Sequence, residues 1–165
     1  MLNQLKNLKA RVGDGNAFIN RWLLARKQLL VAYYNLAGLT PGKSGIAALD
    51  EKALDDFCQG LVDYLSTGHF TIYERIIHEM EGKKPLATVC KIWPQLEANT
   101  QQIMNYYDTH LETVIGYDNF HALQPVLSEL GEALAARFAL EDKLIVLVLN
   151  NDLKASSEDN IARPA

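Results

Sequence analysis

The clearest structural pattern of the chain lies in residues 94–116, PQLEANTQQIMNYYDTHLETVIG. Every third or fourth residue forms one seam, in the order Leu96, Thr100, Ile103, Tyr107, Leu111 and Val114. This spacing places the seam on one face of an α-helix, because a helix turns once every 3.6 residues. We predict a helix that begins at Pro94, a favoured first position, and ends at Gly116.

A second apolar stripe with the same spacing runs through residues 119–151, which we also predict to be helical. Its members are Leu123, Leu127, Leu130, Leu134, Phe138, Ile145 and Leu149. Residues 144–149, LIVLVL, are apolar on all sides and would also suit a buried strand, but the helical pattern before them is unbroken after Pro125. We expect the two stripes to face each other and to leave four side chains nearly free of solvent: Ile103, Leu111, Leu127 and Leu134.

Shorter amphipathic patterns predict helices in the rest of the chain. They cover about residues 2–12, 17–37, 50–65 and 71–81, with a brief helical turn at 86–93. Asp50 is a candidate N-cap, Thr71 and Glu74 have the spacing of a capping box, and we expect a break or kink at residues 66–68. The sequence therefore predicts an all-α fold with a four-helix-bundle core and additional short helices.

The size of the chain fits one domain, since 165 residues with 48% hydrophobic and 22% charged side chains can bury a core of their own. We predict a single helical domain at 1–151 and a frayed polar tail at 152–165, with a loop at 39–49. The sequence has neither a secretory signal core nor an apolar run of membrane-spanning length. We expect a cytoplasmic protein without membrane contact, whose two cysteines are reduced.

The charges are distributed unevenly along the chain. Residues 1–27 carry six basic side chains and one acidic one, whereas residues 28–165 carry ten basic and nineteen acidic ones, for a net charge of −4 overall. Nucleic-acid binding depends on a basic surface, so the acidic body argues against a direct nucleic-acid partner. An acidic body favours a basic protein partner, whose approach it would steer. The alternative is that these charges are solvated helix faces that keep the protein soluble.

Catalytic and metal-binding motifs are missing from the sequence. There is no nucleophile elbow, phosphate loop or dinucleotide fingerprint. Glu74 with His78, and Asp108 with His110, do not reproduce the Glu-x-x-His pairs of di-iron bundles. Cys58 lies on an apolar helix face, which is typical of an inert thiol. We predict no catalytic residue, no cofactor and no metal, and hence no enzyme.

Acidic and aromatic residues gather around the expected break at 66–68, and we predict a partner-binding surface there. Its residues are Asp55, Asp56, Asp63, Phe70, Tyr73 and Glu74. The acids would steer and orient a basic partner, and the two aromatic rings would supply apolar anchors. The alternative is that both rings fill the core while the acids are merely solvated.

Four long strings carry a family resemblance. They are LLVAYYNL (29–36), EKALDDFCQGLVDYLSTGHFTIYERI (51–76), KIWPQLEANTQQIM (91–104) and GEALAARFALEDKL (131–144). From residue 1 to about 149 the chain resembles the regulator of sigma D family of bacterial anti-sigma factors, which is related to the alginate regulator of pseudomonads. The loop at 39–49 and the tail from 150 onward do not clearly match.

The resemblance implies a cytoplasmic, all-helical regulator of transcription, active in stationary phase, that binds region 4 of the primary sigma factor. Region 4 reads the promoter −35 element and also contacts core polymerase, so covering it would lower housekeeping transcription. We expect 1:1 binding by a monomer or weak dimer. Two other classes stay open: a helical adaptor for a signalling or metabolic protein, and a metal-binding helical-bundle enzyme.

Overall fold

The computed structural model describes residues 1–13, 15–38, 47–111 and 123–161, and these ranges are almost entirely helical. The α-helices are α1 (Leu2–Val12), α2 (Ala17–Ala37), α3 (Ala47–Thr67), α4 (Glu74–Met80), α5 (Leu86–Tyr106) and α6 (Leu123–Ile161). Two π-helical segments, Gly68–Tyr73 and Tyr107–Leu111, extend α3 and α5. No strand occurs within the described ranges, and residues 144–149 are helical, which confirms the all-α prediction.

The predicted packing of α5 against α6 is confirmed. Ile103, Leu111 and Leu134 are 0% exposed and Leu127 is 3% exposed, and the two helices lie side by side. Helix α2 packs against both α1 and α3. A four-helix-bundle core built from α2, α3, α5 and α6 stays a prediction, since the described contacts fall mainly within these pairs.

One glycine determines how closely α2 and α6 approach each other. The Tyr33 hydroxyl on α2 donates a hydrogen bond to the Leu127 carbonyl oxygen on α6, at 2.7 Å. A Cβ atom at Gly131 would clash with that hydroxyl oxygen. A side chain at position 131 would therefore displace the tyrosine and break the contact.

The helix does not break at residues 66–68, but the α-helix ends at Thr67 and a π-helical segment begins at Gly68. The predicted break is therefore wrong, a kink there stays a prediction, and the capping box at Thr71 and Glu74 is wrong. The π-helical segment joins α3 directly to α4, and the Glu74 helix begins with no side-chain cap. A π turn adds a residue to the helix while its backbone groups stay hydrogen-bonded, so no new start is needed. Asp50 is likewise not an N-cap, because α3 begins three residues earlier, at Ala47. Alanine has a high helix propensity, so the helix extends to this residue.

Two further helix boundaries differ from those predicted. Pro94 lies inside α5 and does not begin a helix; the buried side chains Val89, Ile92 and Leu96 on both sides of it form one continuous apolar face, whose burial offsets the missing hydrogen bond. The predicted end of α6 near 151 is also wrong, since the helix continues to Ile161. The predicted loop at 39–49 is wrong for residues 47–49, which already belong to α3. Residues 39–46 and the predicted helix end at Gly116 lie outside the described residues, and the single-domain organisation stays a prediction.

Candidate partner-binding site

Five of the six predicted partner-binding residues lie on the surface, and the sixth lies in the core. Asp55, Asp56, Asp63, Phe70 and Glu74 are exposed. Tyr73 is only 1% exposed, so its predicted role as a surface anchor is wrong. Residues three apart share a face in an α-helix, but the wider π turn between positions 68 and 73 places Phe70 and Tyr73 on different sides.

Two of the predicted acids border a groove between α2 and α3. The groove has a volume of about 270 Å³, and its apolar lining includes Trp22, Leu29 and Ile72. Three small residues leave this space open, namely Ala25, Ala32 and Gly60. Asp56 and Asp63 stand at the groove as exposed carboxylates. The site therefore combines an apolar lining with negative charge, which suits a partner that presents apolar side chains among basic ones.

The groove carboxylates keep contact with solvent although each has a neighbour on its own helix. Asp56 forms an ion pair with Lys52 at 2.7 Å, with both side chains more than half exposed. Asp63 accepts a hydrogen bond from the Gln59 amide at 3.1 Å. Exposed pairs of this kind contribute little to stability, so a partner can replace them at small cost.

Behind the groove lies a buried polar network centred on the carboxylate of Glu141, which is 0% exposed. Its oxygens accept hydrogen bonds from Arg26 at 3.1 Å, Arg137 at 3.1 Å, Tyr73 at 2.9 Å and the Tyr64 hydroxyl. These donors come from α2, α6, the π-helical segment and α3. A single buried carboxylate therefore ties four parts of the chain together.

The two arginines of this network have further partners. Arg26 forms an ion pair with Asp142. Arg137 donates to the Thr100 hydroxyl at 2.8 Å, the Asn99 side-chain oxygen Oδ1 at 3.3 Å and the Tyr73 hydroxyl at 2.8 Å. Two positive charges thus meet two negative ones, which is the condition under which buried charges are tolerated.

The network also fixes two residues that line the groove. Tyr64 lines the groove, and its hydroxyl accepts a hydrogen bond from the indole of Trp22, another lining residue, at 3.1 Å. Burial, reinforced by the charge of Glu141, raises the pKa of both Tyr64 and Tyr73 far above the ordinary value. Burial lowers the pKa of Arg26, but Tyr64, Glu141 and Asp142 outweigh this and raise it overall. Both phenols therefore stay neutral hydrogen-bond donors, and Arg26 stays charged. The hydrogen bonds of this network hold Tyr64 in its position at the groove.

Sequence reasoning missed this network, although its signal is visible in the helical stripes. Arg137 and Glu141 occupy inward positions between Leu134 and Leu144 on α6. Arg26 occupies the inward position after Trp22 on α2. A charged residue at such a position indicates that opposite charges from other helices meet it inside the core.

The sequence also raised the questions of a reactive thiol, a metal site and a membrane span. Cys58 is buried, and burial together with the nearby charge of Asp55 raises the pKa of its thiol to about 11, which fits the predicted inert thiol. Within the ranges that the structure describes, no three His, Cys, Asp or Glu side chains are placed to hold a metal ion. In the same ranges, no helix has the length and apolar character that a membrane span requires.

The comparison with known proteins assigns the family. Residues 1–149 match the family model described as "Regulator of RNA polymerase sigma(70) subunit, Rsd/AlgQ". The chain belongs to this family of sigma(70) regulators. It is 65% identical to the "Regulator of sigma D" of Enterobacter sp. (strain 638) over 165 residues, which is 100% of both chains. It is also 66% identical over 150 residues to the "Regulator of sigma D" of Escherichia coli O139:H28, covering 91% of this chain and 95% of the relative.

The family match confirms the resemblance seen in the sequence and covers the whole candidate site. The α2/α3 groove, the π-helical segment and the Glu141 network all lie within residues 1–149. As a member of the Rsd/AlgQ family, the protein is a regulator of sigma factor in transcription. The groove is thus a candidate surface for a protein partner.

Proposed function

We propose that this protein is an anti-sigma factor that binds region 4 of the primary sigma factor in the cytoplasm and lowers its use by RNA polymerase. The observation that carries the proposal is an acidic, apolar groove in a member of a sigma(70) regulator family. Region 4 reads DNA through a helix-turn-helix and is accordingly basic. Its charge is opposite to that of Asp56 and Asp63 at the groove.

The proposed contact has two parts with different physical roles. Asp55, Asp56, Asp63 and Glu74 attract and orient the basic domain, because charges at the rim of an interface act mostly on the association rate. Phe70 lies in the sequence between Thr67 and Ile72, which both line the groove, and its exposed ring loses its water on binding. Burial of such an aromatic anchor acts mostly on dissociation.

The proposed mechanism involves no chemical reaction, because the protein acts only by covering region 4. A sigma factor whose region 4 is covered can neither read the −35 element nor make its region 4 contact with core polymerase. We propose 1:1 binding by a monomer or weak dimer, no catalytic turnover, and a role in stationary phase, when competing sigma factors need access to core polymerase. The protein itself contacts no nucleic acid in this scheme.

The test is transcription in vitro with purified components. Increasing amounts of the protein should reduce transcription from a promoter that depends on its −35 element. A promoter that does not need the −35 element serves as the matched control and should lose much less. Unchanged transcription from the first promoter, with the protein in large excess over sigma factor, would refute the proposal.

A further inference from the structure

A second groove lies between α1 and α2, and it differs from the first in charge. Its apolar part consists of leucines, of which Leu24 is 51% exposed and Leu2 is 37% exposed. Lys6 and Lys9 border it from α1, and Lys27 borders it from α2. The volume is about 240 Å³. Leucines with two lysines on the α1 side and one on the α2 side form a surface that the Glu141 network and the α2/α3 groove do not use.

The lysines of this groove are available for a partner. All three are exposed, and none forms an ion pair with any residue that the structure describes. The sequence from 1 to 27 contains a single acid, Asp14. One of its six basic residues, Arg26, is buried against Glu141, so the positive charge on the surface comes from the other five.

The two grooves lie on opposite sides of α2. With 3.6 residues per turn, Trp22, Ala25 and Leu29 of the α2/α3 groove fall on one side of the helix. Leu24 and Lys27 of the second groove fall on the other side. Among the described residues the two grooves share no lining residue, so one partner can occupy each of them.

We propose that the α1/α2 groove binds an acidic amphipathic helix of a protein partner, with its apolar face on the leucines and its acids against the lysines. An apolar strip flanked by charge on both walls matches the helix-in-groove mode of recognition. A bilayer fits this surface poorly, because the groove is concave and the Leu5, Leu8 and Val12 face of α1 is packed inward. A nucleic acid fits poorly too, since none of the lining residues that the structure describes has an aromatic ring for base stacking.

This site goes beyond sigma binding, because it gives the regulator a second and chemically distinct partner. The α2/α3 groove takes a basic domain and the α1/α2 groove takes an acidic helix. A protein held in the second groove could be present while sigma factor is bound in the first. The regulator would then connect sigma factor to another protein.

The probe for this proposal is a fluorescent helical peptide with leucines on one face and glutamates on both flanks, titrated with the full-length protein in an anisotropy assay. The triple variant Lys6→Gln, Lys9→Gln, Lys27→Gln should weaken binding about tenfold, as the loss of three exposed charge pairs predicts. Leu24→Ser should weaken it as well. The matched control, Lys83→Gln, Lys84→Gln, Lys143→Gln, changes the net charge equally at exposed positions elsewhere and should bind like the native protein.

Four results would overturn the proposal. They are equal losses in both triple variants, equal binding of a permuted peptide whose leucines surround the helix, tighter binding to phosphatidylglycerol vesicles than to the peptide, and tighter binding to a single-stranded oligonucleotide. Adding region 4 should leave peptide binding unchanged, and competition between them would contradict the two-sided arrangement. The peptide titration needs no sigma factor, so its outcome is separate from that of the transcription test.

Discussion

Phe70 and Tyr73 lie three residues apart on the same π-helical segment, yet Phe70 is 77% exposed and Tyr73 is 1% exposed. The Tyr73 hydroxyl binds Glu141 and Arg137 inside the core. Gly68, at the start of the segment, allows this approach, because a Cβ atom there would stand 3.2 Å from the same hydroxyl. The buried network therefore holds the segment that presents Phe70 to solvent.

The exposed ring should matter for binding and not for folding. Phe70→Ala removes little packing, so the melting temperature should stay within a degree or so of the native value. Dissociation of region 4 should become faster, at a cost of about 2 kcal/mol if Phe70 is a binding hot spot. Surface plasmon resonance and thermal melting of the same sample give both values. A lower melting temperature with unchanged dissociation would contradict this assignment.

The buried ring should show the opposite behaviour. Tyr73→Phe keeps the ring but removes the hydroxyl that donates to Glu141 and accepts from Arg137. Losing a hydrogen-bond partner of two buried charges should lower the free energy of unfolding by about 1–3 kcal/mol. Urea denaturation measures the change. A variant as stable as the native protein would show that the network does not depend on this hydroxyl.

Apolar spacing was enough to predict the helices and the α5–α6 packing, because the burial of leucines and isoleucines dominates both. The positions of Phe70 and Tyr73 depend on a π turn, which the spacing of an ordinary helix does not reveal. Arg137 and Glu141 are charged residues, which usually lie on the solvent-exposed face of a helix. Their burial depends on Arg26, Tyr64 and Tyr73, which come from other parts of the chain and meet them only in the folded protein. The candidate groove was therefore predicted only in part, through its two acids.

Charge at the α2/α3 groove should control the rate of association. Asp56→Asn with Asp63→Asn should slow the binding of region 4 and reduce the dependence of the rate on salt, since exposed charges steer a partner over a distance that salt screens. Stopped-flow measurements at several salt concentrations test this. Glu129→Gln with Glu132→Gln on α6 changes the net charge equally at exposed positions outside the groove. If both pairs slow association to the same degree, overall charge and not the groove determines the rate.

The core between α5 and α6 should be sensitive to the loss of a single side chain. Leu134 is 0% exposed, and Leu134→Ala should cost about 2–5 kcal/mol through lost burial and the cavity left behind. Leu153 on the same helix is 69% exposed, so Leu153→Ala is the matched control and should have little effect. Chemical denaturation compares the two variants. An unchanged melting temperature for Leu134→Ala would contradict the packing.

The phenols of Tyr64 and Tyr73 should make the protein less stable in alkali. Burial, reinforced by the charge of Glu141, raises their pKa far above the ordinary value, whereas in the unfolded chain tyrosines ionise near pH ~10. Above that pH the unfolded state releases protons that the folded state still holds. The stability contributed by these groups is therefore fully present below pH ~10 and is lost as the pH rises further, by at most about 1.4 kcal/mol per pH unit for each tyrosine.

Urea denaturation between pH 8 and about 11, the range that brackets the ionisation of unfolded tyrosine, measures this loss. Tyr64→Phe removes one of the two titrating phenols, so its stability should fall less steeply with pH than that of the native protein. Leu134→Ala is destabilised without losing a titrating group, and it should keep the native slope. This comparison separates titration from general weakening of the fold. If Tyr64→Phe and Leu134→Ala follow the same slope, the alkaline loss does not arise from Tyr64.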